Sequence, residues 1–422
     1  MKVLLSDGSS ATALQLAAIL GGKGHQVHVL CESALMLTRF TKWVVKLHRV
    51  PCFRLDPYRW LSSALSVLRA GGFDVFICAH EHVAIASASA DQFRSVGVKM
   101  AVPSFEALSR VMDKISAYEI LRQLQISQPE TSVAHSVDEL LRLVHMVPAY
   151  IKVPIGTTNA RVGLVSTPKE MATVALECEA AGTFGGRGAL LVQKAIPGPV
   201  LMLTSVFSHG HLLAWHACLK VRDSPLGGAA KRRSLPLAFI RDDLIKLGQH
   251  LQWNGALSAD AIFVVKDQKV YYINISPGIL EPMNALFSGV DIVDRLLQAS
   301  ARDTTATSPA AIAVPPGAVN MQSHQVLAGL LRAAENGRLA IVMEVFCAAI
   351  GAGDYRGSKE ELFPLPGDFL GRVSLFVIVV ALVIGGPRLA NYIGVQRASM
   401  HTLSLLNWDI IASKHQKETT AT

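Results

Sequence analysis

The sequence predicts an α/β chain that changes character midway. An open parallel sheet with covering helices occupies residues 1–108. An α+β half follows over 109–300, then a linker at 301–317 and a mostly helical C-terminal region over 318–422. Three observations carry this reading. The first hundred residues alternate short apolar runs with segments of helical spacing, the order that builds a parallel sheet. The middle of the chain shows apolar runs joined by tight turns, as antiparallel strands are. The last hundred residues turn to helical spacing and contain one long uncharged stretch. At 422 residues the chain has room for about two to three domains.

The leading half opens with the apolar run Lys2 to Leu5, a turn at Ser6–Ser10, and a helix from Ala11 to Leu20 with Leu14, Ala17 and Ala18 at helical spacing. Gly21, Gly22 and Gly24 stop it, and Gln26 to Leu30 is the second strand. Phe73 to Cys78 and Val98 to Val102 are two further strands. Ligands in such sheets sit at the carboxyl ends of the strands, which places Asp7, Ser9, Ser10, His80 and Glu81 along a crevice. The first turn holds one glycine, Gly8, where a dinucleotide fingerprint needs three, which argues against a nicotinamide site.

The second half begins near Pro103. Asp113 and Lys114 open a helix with Ala117, Leu121 and Leu124 on one face, and Val137 to His145 is another. The strand Ala149 to Lys152 then runs into a loop of small residues bounded by Gly156 and Gly163, with Arg161 inside it. Short side chains let backbone N–H groups approach phosphates, and Lys152 and Arg161 supply charge; a plain hairpin with an exposed lysine fits the same residues. Strands follow near Leu191–Ile196, Leu201–Val206, Leu212–Cys218, Ala261–Val265 and Val270–Ile275, with a helix at Leu244–Leu251 among them.

Half of the residues are hydrophobic and 17% are charged, which excludes a disordered chain. A mean hydropathy of +0.35 is high for a soluble enzyme. The formal charge of +8 suits anionic small molecules or an anionic lipid surface. No basic helix, aromatic-basic interleaving or metal-finger spacing marks a nucleic-acid partner. The six cysteines are too far apart for a CxxC pair and sit mostly in apolar runs, which reads as reduced buried thiols in a cytoplasmic protein. The polar turn after Leu5 interrupts any signal-like apolar core.

The order of these pieces resembles the ATP-grasp superfamily, in its carbamoyl-phosphate-synthase-like and biotin-carboxylase-like branch, over about residues 2–297. Asp113-Lys114, the Lys152 strand with its loop, the strand ending Gln193-Lys194-Ala195-Ile196-Pro197-Gly198, and the closing pair around Asp260 and Asn274 carry the resemblance. It implies a leading pre-ATP-grasp domain and two lobes that hold ATP and Mg2+ between them. It implies a ligase that activates a small-molecule carboxylate as an acyl phosphate and joins it to an amine. Lys114 and Lys152 match the basic positions that reach the nucleotide phosphates. Residues Gly156 to Gly163, Arg161 included, match the loop that closes over them. Gln193, Lys194 and Ile196 match the hinge that meets adenine. Lys220 and Arg222 fall where the family places a catalytic cation near the reacting phosphoryl group. Asp260, Asn274 and Ser276 match the metal ligands. Related folds pair, so a homodimer is a further expectation.

Two departures bear on function. The family's closing Glu-x-Asn-Pro-Arg run here reads Asn274, Ile275, Ser276, Pro277, Gly278. Asp260 is left as the one clear carboxylate, which predicts weak magnesium binding. Glu281 could swing in as a substitute, and the run Lys231-Arg232-Arg233 reads either as a solvated loop or as a phosphate holder that needs no metal. The alternative to the ligase is therefore a nucleotide sensor or scaffold that has lost the chemistry. In the tail, residues 301–317 are rich in Thr, Ala and Pro and read as a linker, while Gln325–Ala333 and Leu339–Ile350 read as helices. Val373 to Gly386 carries no charge and lies between Arg372 and Arg388. It is short for a membrane span, and three readings stand: an inserted anchor with basic flanks, a buried core helix or strand, and a signal-like relic. The positive charge favours membrane contact.

Overall fold

Strands β1 (Lys2–Leu5), β2 (Gln26–Cys31), β3 (Val44–Arg49) and β4 (Val75–Ile77) form a parallel sheet in the order β3-β2-β1-β4. β1 and β4 are buried almost throughout because helices cover both sheet faces. The computed structural model describes residues 1–33, 36–156, 163–185, 188–225, 228–301, 317–363, 368–399 and 403–420. Most of the predicted 301–317 linker therefore lies outside the described residues.

The parallel sheet matches the prediction with two corrections. Val98 to Val102 is not a strand. Only Lys99 bridges to Val75, because the chain leaves Gly97 at positive φ and turns away at Pro103. The edge strand β3 was not foreseen: Lys46, His48 and Arg49 break its apolar pattern, as water-facing edge strands allow. Asp7, Ser9 and Ser10 do not line an open crevice. Asp7 accepts hydrogen bonds from the N–H groups of Ser9 and Ser10, and Ser10 caps the helix Ala11–Gly22 by accepting from the Ala13 N–H.

A second, antiparallel sheet holds β5 (Thr131–Ala134), β6 (Ala149–Lys152), β7 (Leu164–Val165) and β8 (Leu190–Lys194) in the order β5-β8-β6-β7. The helices Val137–Arg142 and Pro168–Ala180 pack on it around a separate core that includes Leu140, Ile151, Met171 and Val192. This sheet and its helices form one lobe of the middle of the chain.

The other lobe is a large sheet of β9 (Val200–Ser208), β10 (His211–Asp223), β11 (Ala229–Ser234), β12 (Gly255–Val264), β13 (Lys269–Pro277), β14 (Gln322–His324) and β15 (Lys359–Glu360). Its order is β13-β12-β9-β10-β11-β14-β15. It shares a core with the leading domain, joining Phe76 and Phe93 to Phe207, Trp215 and Trp253. Gly255 sits at this junction at φ +97°, where a Cβ would lie 2.4 Å from the Ala101 carbonyl oxygen. Only glycine permits so close an approach.

The C-terminal region adds β14 and β15 to that sheet and stacks the helices Val326–Ala334, Arg338–Ile350 and Phe369–Ser399 beside it. The last of these breaks at Gly386, φ 58° and ψ −149°, just before Pro387. Residues 373–385 are thus helical, which removes the strand reading. They belong to a helix packed on its neighbours along one side, which removes the relic reading. The helix Leu405–Thr420 returns to the leading domain, where Trp408 stacks on Phe105 with ring centroids 5.5 Å apart.

Candidate functional site

Lys152 joins the two antiparallel sheets, and Lys114 lies near enough to act on it. β6 ends on Lys152. Its Nζ donates to Gln193 Oε1 at 2.7 Å on the same sheet and to the Ile273 carbonyl at 2.6 Å on β13 of the other sheet. One side chain therefore ties the lobes together. Lys114 opens the helix Lys114–Gln123, capped by Asp113, and its Nζ donates to the Gly156 carbonyl at 2.6 Å. Gly156 sits at φ +110°, so that carbonyl is aimed by a backbone geometry that favours glycine.

Across the large sheet, paired residues share a face. Asn274 lies opposite Asp260, Asp260 opposite Met202, and Met202 opposite Cys218. His216 and Lys220 flank Cys218 at the strand period of two, and Lys220 lies opposite Arg232. One face thus carries Asn274, Asp260, His216, Lys220 and Arg232. Asn274 hydrogen-bonds Asp260 and donates to Ser276 Oγ at 2.9 Å. Ser276 lies two residues on and faces the same way.

The electrostatics are one-sided. Burial pushes Lys152 down to about 8, and the Lys114 charge adds to that shift, while Asp260 opposes it. Burial also lowers Lys114, opposed by Glu81 and Asp113. Burial raises the Asp260 carboxyl, opposed by its hydrogen bond from Asn274 and by the charges of Lys220 and Lys152. Burial makes both lysines easier to deprotonate, the Lys114 charge adds to this at Lys152, and the nearby carboxylates Asp260, Glu81 and Asp113 offset it only in part. That arrangement is costly alone and favourable around a polyanion.

The remaining predicted residues divide. Gln193 is buried and spent on Lys152 and on Thr131, whose Oγ1 accepts from its Nε2 at 3.2 Å. Lys194 points outward to Glu130 at 3.0 Å. Ile196 lies half-buried just past the end of β8. Gly163 precedes β7, and Arg161 lies outside the described residues with the rest of 157–162. Lys220 pairs with Asp223 at 2.8 Å while its charge acts on Asp260. Arg222 is not brought to that face. A register shift between Lys220 and Arg222 turns the strand, and Arg222 pairs with Glu344 and Asp354 of the C-terminal region.

The run Lys231-Arg232-Arg233 is neither a solvated loop nor an open phosphate holder. It forms β11, and Arg232, 1% exposed, is paired with Glu281 and with Glu361, which is fully buried. Glu281 is thereby committed to Arg232 and to Gln325, whose Nε2 donates to it at 2.9 Å. His216 donates through Nε2 to Asn284 Oδ1 at 2.7 Å, and burial lowers it to about 4, so it is neutral near pH 7. Its Nδ1 is buried without a hydrogen-bond partner. His216, Arg232, Glu281, Asn284 and Thr204 line a small cavity beside Asp260 and Lys220. Sequence reasoning missed this cavity. His216 stands alone in an apolar run, and Glu361 is 129 positions from Arg232.

Among the described residues no group of three or more His, Cys, Asp or Glu side chains is placed to hold a metal. The donors near Asp260 are its own carboxylate, the Asn274 amide and the Ser276 hydroxyl. Magnesium binds through one or two carboxylates plus substrate phosphates, so this set fits a metal that enters with a nucleotide rather than a preformed metal centre.

The fold is similar to that of the biotin carboxylase domain of Hydrogenobacter thermophilus 2-oxoglutarate carboxylase, solved with magnesium ADP and bicarbonate. The TM-score is 0.59 at 16% identity, over 76% of this chain and 73% of that one. Campylobacter jejuni biotin carboxylase gives 0.59 at 14% identity, over 76% and 74%. The L-amino acid ligase of Bacillus licheniformis gives 0.53 at 15%, over 71% and 74%. Among curated proteins, the ribosomal protein bS6–L-glutamate ligase of Salmonella newport is 30% identical over 209 residues, 47% of this chain and 66% of that protein. The chain thus spans just under two thirds of the length of the curated relatives it matches. No family model matches. The chain has the fold of these proteins, the ATP-grasp fold that its sequence resembles.

Proposed function

We propose that this ATP-grasp chain is an ATP-dependent ligase that activates a carboxylate as an acyl phosphate and joins it to an amine. The observation that carries the reading is Lys152, buried where it bonds both lobes and feeling the charges of Lys114 and Asp260, with Lys220 acting on the same aspartate. Such a site gains most from a triphosphate. Lys114 and Lys152 bind the phosphates and draw the lobes together. The hinge from Gln193 to Ile196 takes the adenine, and the segment from Gly156 to Gly163 with Arg161 covers the phosphates. Asp260, with the Asn274 and Ser276 oxygens, would hold magnesium, which when bound offsets phosphate charge.

In the first step a substrate carboxylate oxygen bonds to the γ-phosphorus and the bond to the β,γ-bridging oxygen breaks, releasing ADP. In the second the amine nitrogen attacks the acyl carbon, phosphate leaves with the carboxyl oxygen, and the amine gives up a proton. Lys220 holds the transferring phosphoryl group from the sheet face, and the chain's task is positioning and charge cancellation. The names of the similar ligases make amino acids the first substrates to try. They also favour catalysis over a nucleotide scaffold. We place the protein in the cytoplasm with its tail against a membrane face.

The test is phosphate release from ATP in a screen of amino acids and other carboxylates, with hydroxylamine present to trap an acyl phosphate as a hydroxamate. Release that depends on the carboxylate, and hydroxamate formation, are expected. ATP binding with no release for any pair would contradict the ligase.

A further inference from the structure

Two neighbouring helices in the C-terminal region carry apolar stripes that none of the described residues covers. On Arg338–Ile350, Leu339, Val342, Met343, Phe346 and Ile350 recur at i, i+3, i+4, i+7 and i+11, and all are exposed, Leu339 to 83%. This is the spacing of a buried helix face. On the helix starting at Phe369, residues Phe369, Val373, Phe376, Val377, Val380 and Ile384 do the same, with Phe376 67% exposed. Each helix turns its opposite side into one shared cluster, Ile341 and Val345 from the first, Leu375, Ile378 and Leu382 from the second. Both stripes therefore face outward from that cluster. Arg338 opens the first helix, and its Nη2 donates to the Ile384 carbonyl at 2.8 Å, pinning the second helix where it breaks.

We infer that these two helices form a platform that lies in the plane of an anionic membrane leaflet and does not cross it. This rests on the membrane contact proposed above and says how that contact is made. Residues 369–393 are long and apolar enough for a span, and most of this stretch is not buried in the chain. Three facts exclude crossing. The break at Gly386 leaves 17 continuous helical residues, 369–385, about 26 Å at 1.5 Å per residue and short of the roughly 30 Å hydrocarbon core. One side of the helix is tied into the cluster that holds Leu14 of the leading domain. Both ends of the segment return to the same body: β15 joins the large sheet before it, and after it the Leu403 N–H donates to Glu81 while Trp408 stacks on Phe105. A single crossing would tear one of these attachments away. Charge supplies the choice of surface. Residues 369–393 hold Arg372 and Arg388, both exposed, and no acid, and Glu344, the one acid on the first helix, is paired with Arg222. A leaflet with anionic headgroups suits this rim, whereas a second copy would set the same arginines against each other.

The test adds the full-length chain to preformed vesicles of phosphatidylcholine with or without phosphatidylglycerol and follows flotation. The expected result is recovery with anionic vesicles, reduced about tenfold or more by the pair Phe346→Glu and Phe376→Glu, two exposed positions whose change leaves ATP binding intact. A C-terminal tag should stay open to protease outside the vesicles. A protected tag would overturn the in-plane platform and keep membrane contact. No flotation from either vesicle would overturn both. A dimer in solution that these substitutions dissolve, without flotation, would assign the platform to a second copy.

Discussion

Two of the buried cation groups in the chain, one at Arg232 and one at Lys114 and Lys152, are treated in opposite ways. Arg232 is enclosed with Glu281 and Glu361, and Gln325, Gln15 and Ser323 donate the remaining hydrogen bonds to the glutamates. Its charge is answered within the chain. Burial lowers both Lys114 and Lys152; the Lys114 charge lowers Lys152 further, while Asp260 opposes the shift at Lys152 and Glu81 and Asp113 oppose it at Lys114. Their charge is answered only in part. A compensated buried cation fastens pieces of the fold together, here the large sheet, the leading domain and the C-terminal region. An uncompensated one marks a place where an anion is expected from outside.

This contrast can be broken by mutation. Arg232→Leu leaves Glu361 charged and fully buried, so stability in urea should fall by about 3–5 kcal/mol, with ATP affinity of the folded protein little changed. Lys152→Ala should do the reverse. ATP binding should weaken by about 1.5–3 kcal/mol, the range for a charge-assisted hydrogen bond, while unfolding of the free protein shifts by less than about 1 kcal/mol. If Lys152→Ala unfolds the free protein as readily as Arg232→Leu, the lysine belongs to the scaffold and the contrast fails.

The pH dependence sharpens it. Folding lowers Lys152 from 10.5 to about 8, so the unfolded chain binds more protons between those values. Stability of the free protein should therefore rise with pH across that window. ATP affinity should run the other way, falling as pH passes through about 8, because a neutral lysine no longer meets phosphate. Lys152→Ala should remove both trends, which calorimetry and thermal unfolding over that range would show. A smaller effect is expected at the metal position. Asn274→Glu restores an anionic ligand beside Asp260 and should increase the gain in ATP affinity that magnesium brings; an unchanged magnesium response would remove Asn274 from the metal site. The smallest belongs to Lys194, whose half-exposed pair with Glu130 should be worth under about 1 kcal/mol, so that Lys194→Ala leaves stability and ATP affinity nearly intact.

What could be read from the sequence follows local physics. The Asp113 cap, the Lys152 strand, the hinge strand β8 and the pairing of the Asp260 and Asn274 strands each announce themselves within a dozen residues. What could not be read depends on distant partners. A register shift after Lys220 sends Arg222 to Glu344 and Asp354, over a hundred positions away. Arg232 looks like part of an exposed basic run until Glu361 is placed beside it. The strands β14 and β15 are too short to show periodicity and exist because the edge of β11 offers hydrogen bonds. The exposure of the Phe346 and Phe376 stripes is likewise invisible in a pattern that ordinarily signals burial.

The most direct measurement is a calorimetric titration of the full chain with ATP, with and without magnesium, with phosphate release followed in parallel as amino acids are supplied. The account predicts binding that magnesium strengthens and phosphate release that requires a carboxylate substrate and an amine. Binding indifferent to magnesium and unaccompanied by release, or no binding at all, would contradict it.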